Sequence, residues 1–277
     1  MRLAHITDLH VERPLTLSDL VGKRVFGAVN LHVLGRSHHF SAAVQAALPA
    51  AVLATQPDHV VCTGDLTATA TDAEFEAARS LVEQLGSVPF HCIPGNHDVY
   101  TAESVGRYSR YFGDASVRRI PCGPVDLVLV DVCCPDWLSR GTATPAALAD
   151  LDAALGAPGL CIVALHYPLR DRRGAPYGPA SRALSNAAAV EAIIARHANV
   201  RAVLHGHEHH GFYVSTPDGV PIFNPGASGY AWLPARRRTA HFNVYDIDGE
   251  GAIVVERHAW NGSSFEPEKG GAYASGG

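Results

Sequence analysis

Apolar residues gather along this chain in short runs of four to eight positions, at 3–7, 60–63, 88–93, 125–132, 160–165 and 200–204, each stopped by glycine or polar residues. Runs of that length, bounded by turn-forming residues, read as buried strands. Between them the spacing changes. Ser41 is an N-cap for a helix reaching about Thr55, with Val44, Leu48 and Val52 four positions apart. Thr71 and Glu74 form a capping box ahead of Phe75, Ala78, Val82 and Leu85 on one face. Thr144-Pro145 opens a further helix to about Leu155, and 186–197 is another. Strand and helix alternate, which predicts an α/β layered fold. Past His210 the pattern becomes all strand: 211–215, 220–223, 241–246 and 252–257 read as antiparallel, with Asp248-Gly249 turning between the last two.

Two stretches leave this alternation. Residues 14–40 interleave leucine and valine with Lys23, Arg24, Arg36, His38 and His39, an apolar and basic insert best read as a helical excursion. It can cap a substrate site, rest on a membrane surface or acyl chain, or pack on its own domain. Deleting it should weaken liposome binding if the surface reading is right, and unchanged binding counts against that reading. The second stretch, 168–185, carries Arg170, Arg172, Arg173 and Arg182 among glycines and prolines, so it is a long polar loop and a candidate lid or anion contact. No Gly/Ser linker cuts the chain, so residues 1–262 read as one domain and the glycine-rich 263–277 as a flexible tail.

Composition narrows the function. A formal net charge of -5 over 277 residues excludes a protein built mainly around nucleic-acid backbones, and stable nucleic-acid binding is not expected. The six cysteines form no CxxC pair and sit mostly in apolar runs, which suits a reducing compartment. The first strand starts at once, without a leader-like pattern, and no window is long and apolar enough to span a bilayer. A cytoplasmic location is expected, with peripheral membrane contact through 14–40 if the insert serves that role.

What ends the strands is the chemical signal. Asp8 and His10 follow the first, Gly64-Asp65 the second, Gly95-Asn96-His97-Asp98 the third, His166 the strand at 160–165, and Gly206-His207-Glu208-His209 the strand at 200–204. Asp8-x-His10 alone is equally a strand followed by an Asx turn. Five such ends in order supply neutral nitrogen, carboxylate charge and an amide oxygen to one crevice outside the sheets. That mixture suits a pair of divalent ions clamping a phosphoryl displacement.

This order of motifs resembles the calcineurin-like metallophosphoesterase superfamily over nearly the whole chain. The resemblance implies a four-layer α/β/β/α sandwich of mixed sheets and a dinuclear centre of Mn, Fe, Zn or Co, since the ligands offer oxygen and nitrogen without thiolate. By motif match, Asp8, His10, Asp65 and His209 would hold one ion, and Asp65, Asn96, His166 and His207 the other, with Asp65 bridging. A metal-bridging hydroxide would attack the P–O bond. His97 would stabilise the phosphoryl oxygen or protonate the leaving group, with Asp98 orienting it. His5, His91, His205 and His210 match no role and are read as structural or surface residues.

Departures from relatives bear on substrate. Leu66 to Thr69 lack the arginine that follows Gly-Asp in the Ser/Thr protein phosphatases, and Ala68 stands where purple acid phosphatases carry a tyrosine ligand. The pattern is most similar to bacterial phosphodiesterases of the class III cyclic-nucleotide type, with His166-Tyr167-Pro168 where those enzymes often have His-His-Pro-Pro. A phosphodiesterase acting on a small nucleotide-like substrate is therefore expected. The insert suggests an alternative, a pyrophosphohydrolase of a nucleotide-linked acyl sugar of the UDP-diacylglucosamine type, with phosphomonoesterase after that. A metal-binding scaffold of the same fold is the non-enzyme reading.

Overall fold

The computed structural model describes residues 1–16, 39–236 and 238–268. Most of the 14–40 insert lies outside the described residues. In chain order the elements are β1 (Arg2–Ile6), α1 (Ala42–Ala54), β2 (His59–Cys62), α2 (Asp72–Glu83), β3 (Phe90–Cys92), α3 (Ala102–Phe112), β4 (Arg118–Pro121) and β5 (Val125–Leu129). There follow α4 (Pro145–Gly156), β6 (Leu160–Ala164), α5 (Ala187–Ala195), β7 (Val200–Leu204), β8 (Phe212–Ser215), β9 (Pro221–Asn224), β10 (His241–Ile247), β11 (Ile253–Trp260) and β12 (Phe265–Pro267). Two mixed six-stranded sheets result, in the orders β12-β11-β10-β1-β2-β3 and β4-β5-β6-β7-β9-β8.

The inner faces of both sheets meet in one apolar layer: Leu3, Val61 and Tyr245 from the first pack against Leu127, Ile162 and Leu204 from the second. The outer face of the first sheet is covered by α1, α2 and α3 through Leu48, Val52, Phe75 and Tyr108. The outer face of the second is covered by α4 and α5 through Leu151, Leu155, Val190 and Ile194. This is the expected α/β/β/α layering, and strands β1, β2 and β5 to β7 are largely buried on both faces, which is why they read as continuous apolar runs. Local chemistry starts the helices as anticipated. Thr71 Oγ1 accepts from Glu74 N at 3.3 Å while Glu74 Oε2 accepts from Thr71 N at 3.2 Å, and Thr144 Oγ1 accepts from Ala147 N at 3.1 Å.

Three elements went unanticipated. Helix α3 has a reciprocal Thr101–Ser104 cap, with Thr101 N donating to Ser104 Oγ at 3.2 Å, and Tyr108 buried three positions after Val105. β4 and β12 are short edge strands rich in charge and proline, the composition that blunts a sheet edge and hides it from an apolar-run search. β12 also corrects the expected flexible tail: Arg257 pairs with Glu268 and Phe265 packs on Trp260, so order persists to Glu268. Residues 269–277 lie outside the described residues. Among the described residues no helix is long and apolar enough to cross a membrane.

One histidine inside this scaffold sets an acid limit. His5 on β1 is wholly buried, with Nδ1 3.0 Å from Tyr245 Oη and Nε2 2.9 Å from Thr63 Oγ1, and burial pushes its pKa down to about 3. The unfolded chain takes up that proton near the ordinary histidine value of about 6.5, so the His5 contribution to stability is whole above about pH 6.5 and drains as pH falls toward 3. Urea unfolding between about pH 6.5 and 4.5 should show His5→Gln losing less stability than wild type, by up to about 1.4 kcal/mol per pH unit. Parallel pH profiles would refute this.

Candidate metal centre

Parallel strands of both sheets deliver the polar motifs to one side of the molecule, and the backbone there is unusual. Among the described residues seven non-glycine residues have positive φ, and five of them are Asp8 (52°), His10 (47°), Asp65 (54°), His207 (71°) and His209 (56°). Left-handed backbone costs a non-glycine residue about 1–2 kcal/mol. The strained residues are concentrated at the strand ends, where their side chains converge. Two glycines permit the crowding: a Cβ on Gly95 would overlap the Asp65 carboxylate and amide, and one on Gly206 would overlap Thr7 and Asp8.

The side chains converge in two groups that share one residue. Asp8, His10, Asp65 and His209 form the first, and Asp65, His166 and His207 the second. In the first, His10 Nε2 lies 3.1 Å from His209 Nε2, 3.7 Å from Asp8 Oδ1 and 3.4 Å from Asp65 Oδ2, and His209 Nε2 lies 3.2 Å from Asp8 Oδ1. Ligand atoms arranged tetrahedrally at about 2.1 Å from an ion stand about 3.4 Å apart, so the spacing suits one. Asp8 Oδ1 is buried without a hydrogen-bond partner. Burial opposes charge on Asp8, yet the His10 and His209 rings hold its carboxyl well below the usual carboxylate range.

The second group is defined by where its protons must be. His166 Nδ1 donates to Thr63 O at 2.7 Å and His207 Nε2 donates to Arg182 O at 2.9 Å. A carbonyl cannot donate, so each neutral ring presents its lone pair from the other nitrogen. These bare atoms, His166 Nε2 and His207 Nδ1, are 3.3 Å apart, and Asn96 Oδ1 stands 3.2 Å and 2.9 Å from them. Asp65 Oδ2 is 3.6 Å from His166 Nε2. Burial lowers the pKa of both imidazoles, which keeps them neutral. Four acceptors face one another with no proton between them, an arrangement a cation satisfies and water alone does not. Asn96, His166 and His207 were placed together from sequence, and they meet here.

His97 sits beside the shared carboxylate. Its backbone N–H donates to Asp65 Oδ1 at 2.7 Å, its ring stands edge-on to His10 at 4.7 Å, and Nδ1 donates to Ala68 O at 2.6 Å. Nε2 is therefore its titrating nitrogen. The expected orienting role of Asp98 is corrected: its oxygens accept from Gly95 N, Leu66 N, Thr67 N and Thr67 Oγ1 at 2.8–3.1 Å, so it locks the β2 and β3 end loops together and the Ala68 carbonyl holds the His97 ring. Ala68, singled out in sequence for the tyrosine it lacks, contributes through its main chain.

The two segments that leave the strand–helix alternation in the sequence, 14–40 and 168–185, both reach the site. Phe40 packs its ring 4.3 Å from His10 and 5.5 Å from His209. The 168–185 loop lies against the site: Arg182 supplies the carbonyl that sets the His207 tautomer, and Tyr177 Oη donates to Glu208 Oε1. Glu208 thus points away from the ligand groups and fastens the loop. Of the unassigned histidines, His5 and His205 are wholly buried structural residues, His210 is half-buried, and His91 pairs with His59.

With this geometry, the comparisons with known proteins decide the family. Residues 1–211 match the calcineurin-like phosphoesterase family. The chain belongs to that family. No curated protein matches it at a significant level. Among solved structures it is similar to a dimetal phosphatase from Danio rerio, at 14% identity and TM-score 0.63, with 96% of this chain and 98% of that one covered. It is also similar to the purple acid phosphatase PPD1 from yellow lupin (Lupinus luteus) seeds, at 12% identity and TM-score 0.65, covering 96% of this chain and 52% of that one. At such identities the likeness shows the fold, and the family indicates a metal-dependent phosphoester hydrolase.

Proposed function

We propose that the protein is a phosphodiesterase working with two divalent metal ions, held by Asp8, His10, Asp65 and His209 and by Asp65, Asn96, His166 and His207. The observation that carries this reading is Asp65 Oδ2, which stands 3.4 Å from His10 Nε2 and 3.6 Å from His166 Nε2 and so belongs to both ligand groups. Bound ions would supply Lewis-acid polarisation of the phosphoryl oxygens and a lowered pKa for water. The chain's own residues do the rest. Asp65 positions both groups and, through Oδ1, the His97 backbone. His97, tethered to Ala68 O through Nδ1, holds or releases a proton at Nε2, where it can protonate the leaving oxygen. Phe40 walls the first group against solvent.

The loop favours a diester over a terminal phosphate. Arg182, the arginine of the 168–185 loop whose backbone reaches the site, has its guanidinium 3.8 Å from Glu208 and so partly neutralised. A dianionic monoester gains from unpaired arginine forks, and a monoanionic diester needs them less. The test is a turnover panel of bis(p-nitrophenyl) phosphate, p-nitrophenyl phosphate, cyclic nucleotides and a nucleoside-diphosphate acyl sugar, each with Mn, Fe, Co and Zn. Diester turnover should exceed monoester turnover with at least one metal, and a chelator should abolish it reversibly. Monoester turnover in excess of diester turnover would sink the diester reading. Turnover of the acyl sugar alone would replace it with the pyrophosphohydrolase.

A further inference from the structure

At the opposite end of the strands from the centre above, three other side chains converge. His59 opens β2, His91 lies in the middle of β3, and Cys122 follows β4. β2 and β3 are parallel with Val61 opposite His91, which puts His91 on the same face as Val61 and His59, the face toward the second sheet. Cys122 comes from that second sheet and is buried in the layer between the two. His59 Nδ1 and His91 Nε2 are 3.0 Å apart, and one ring nitrogen of each histidine together with the Cys122 sulfur all lie within 4.8 Å of one another.

We propose that His59, His91 and Cys122 bind one zinc ion, separate from the dinuclear centre, which ties the two sheets together at this rim. Two imidazoles and a thiolate with one position left for water match the tetrahedral nitrogen and sulfur preference of zinc. The donor set also differs from the oxygen and nitrogen ligands of the other centre, so the two sites select different metals. Burial, then the neighbouring His59 and Arg118, push the His91 pKa down to about 4, which leaves its ring neutral as a ligand must be. Arg118 also penalises a dication nearby, and a thiolate is the ligand that offsets it. On binding, the Cys122 S–H bond breaks, its proton leaves to solvent and a sulfur–metal bond forms. The proton shared between His59 and His91 moves to the outer nitrogen of the ring that carries it, so the imidazoles stay neutral.

Cobalt titration of the full-length, metal-stripped chain tests this, because the dinuclear ligand set holds no sulfur and sulfur-to-cobalt charge-transfer absorption therefore reports on a thiolate site alone. The wild type should develop that band and lose it when zinc is added. Cys122→Ser, close to isosteric, should lack the band and bind one ion per chain fewer, with unchanged turnover. His91→Asn should lose the same ion while Cys122 remains. A wild-type chain with no band at saturating cobalt overturns the proposal, as does a band that survives in Cys122→Ser. Failure of the dinuclear reading would leave this band intact, so the two are distinguishable.

Discussion

An Asp65→Asn protein is expected to fold, to bind neither ion tightly and to show no turnover above background. Asparagine tolerates the 54° φ at this position and keeps an oxygen for the His97 amide, so the substitution removes charge with little change in shape. Loss of an outer hydrogen-bond partner of a metal ligand typically weakens binding about 10- to 100-fold. A carboxylate shared by both groups should cost more than that, because both ions lose a negative ligand at once and the second is left with none, while the first keeps Asp8. Metal analysis after gel filtration, paired with unfolding curves, checks the outcome. Added metal should raise the wild-type midpoint and leave the variant's unchanged, since only tight binding to the folded state shifts it. Retention of both ions by Asp65→Asn would remove the shared-ligand account.

His97→Asn separates chemistry from metal binding. The Asn amide can still donate to Ala68 O, where His97→Ala would leave that buried carbonyl unpaired at a cost of about 1–3 kcal/mol. What it lacks is a titrating nitrogen. Metal content should therefore match wild type while kcat falls about 10²- to 10⁴-fold, the range that general acid catalysis supplies. The loss should be largest for substrates with poor leaving groups. A drop below tenfold, or metal loss to match the activity loss, would show that His97 serves structure.

Much of this was legible because the site is built from strand ends. Each motif follows an apolar run, and doubly covered parallel strands announce themselves as such runs. Asp8, His10, Asp65, Asn96, His97, His166, His207 and His209 were all named from order and type, and they meet at one place. What escaped has a common cause: backbone groups and packing have no residue-type signature. The Ala68 carbonyl that holds His97, the Arg182 carbonyl that sets the His207 tautomer, and the Phe40 ring over His10 are such cases. Adjacency to His97 suggests an orienting Asp98, but adjacency in sequence does not fix where a side chain points, and its oxygens accept from Leu66 N and Thr67 N of the β2 loop and from Gly95 N. Strands β4 and β12 escaped because edge strands avoid the apolar pattern that betrays central ones. Helix α3 was within reach, since Thr101 and Ser104 cap it and Tyr108, Tyr111 and Phe112 form the face that packs on Phe75.

On the proposed function, the two ligand groups joined by Asp65 make a working dinuclear phosphodiesterase. This is tested most directly by measuring bound metal and bis(p-nitrophenyl) phosphate hydrolysis on the same preparation as metal is added back to the stripped protein. Turnover should rise as the dinuclear centre fills with its two ions and should stay near zero in Asp65→Asn throughout. A folded wild-type protein that holds both ions and hydrolyses no phosphoester would contradict it.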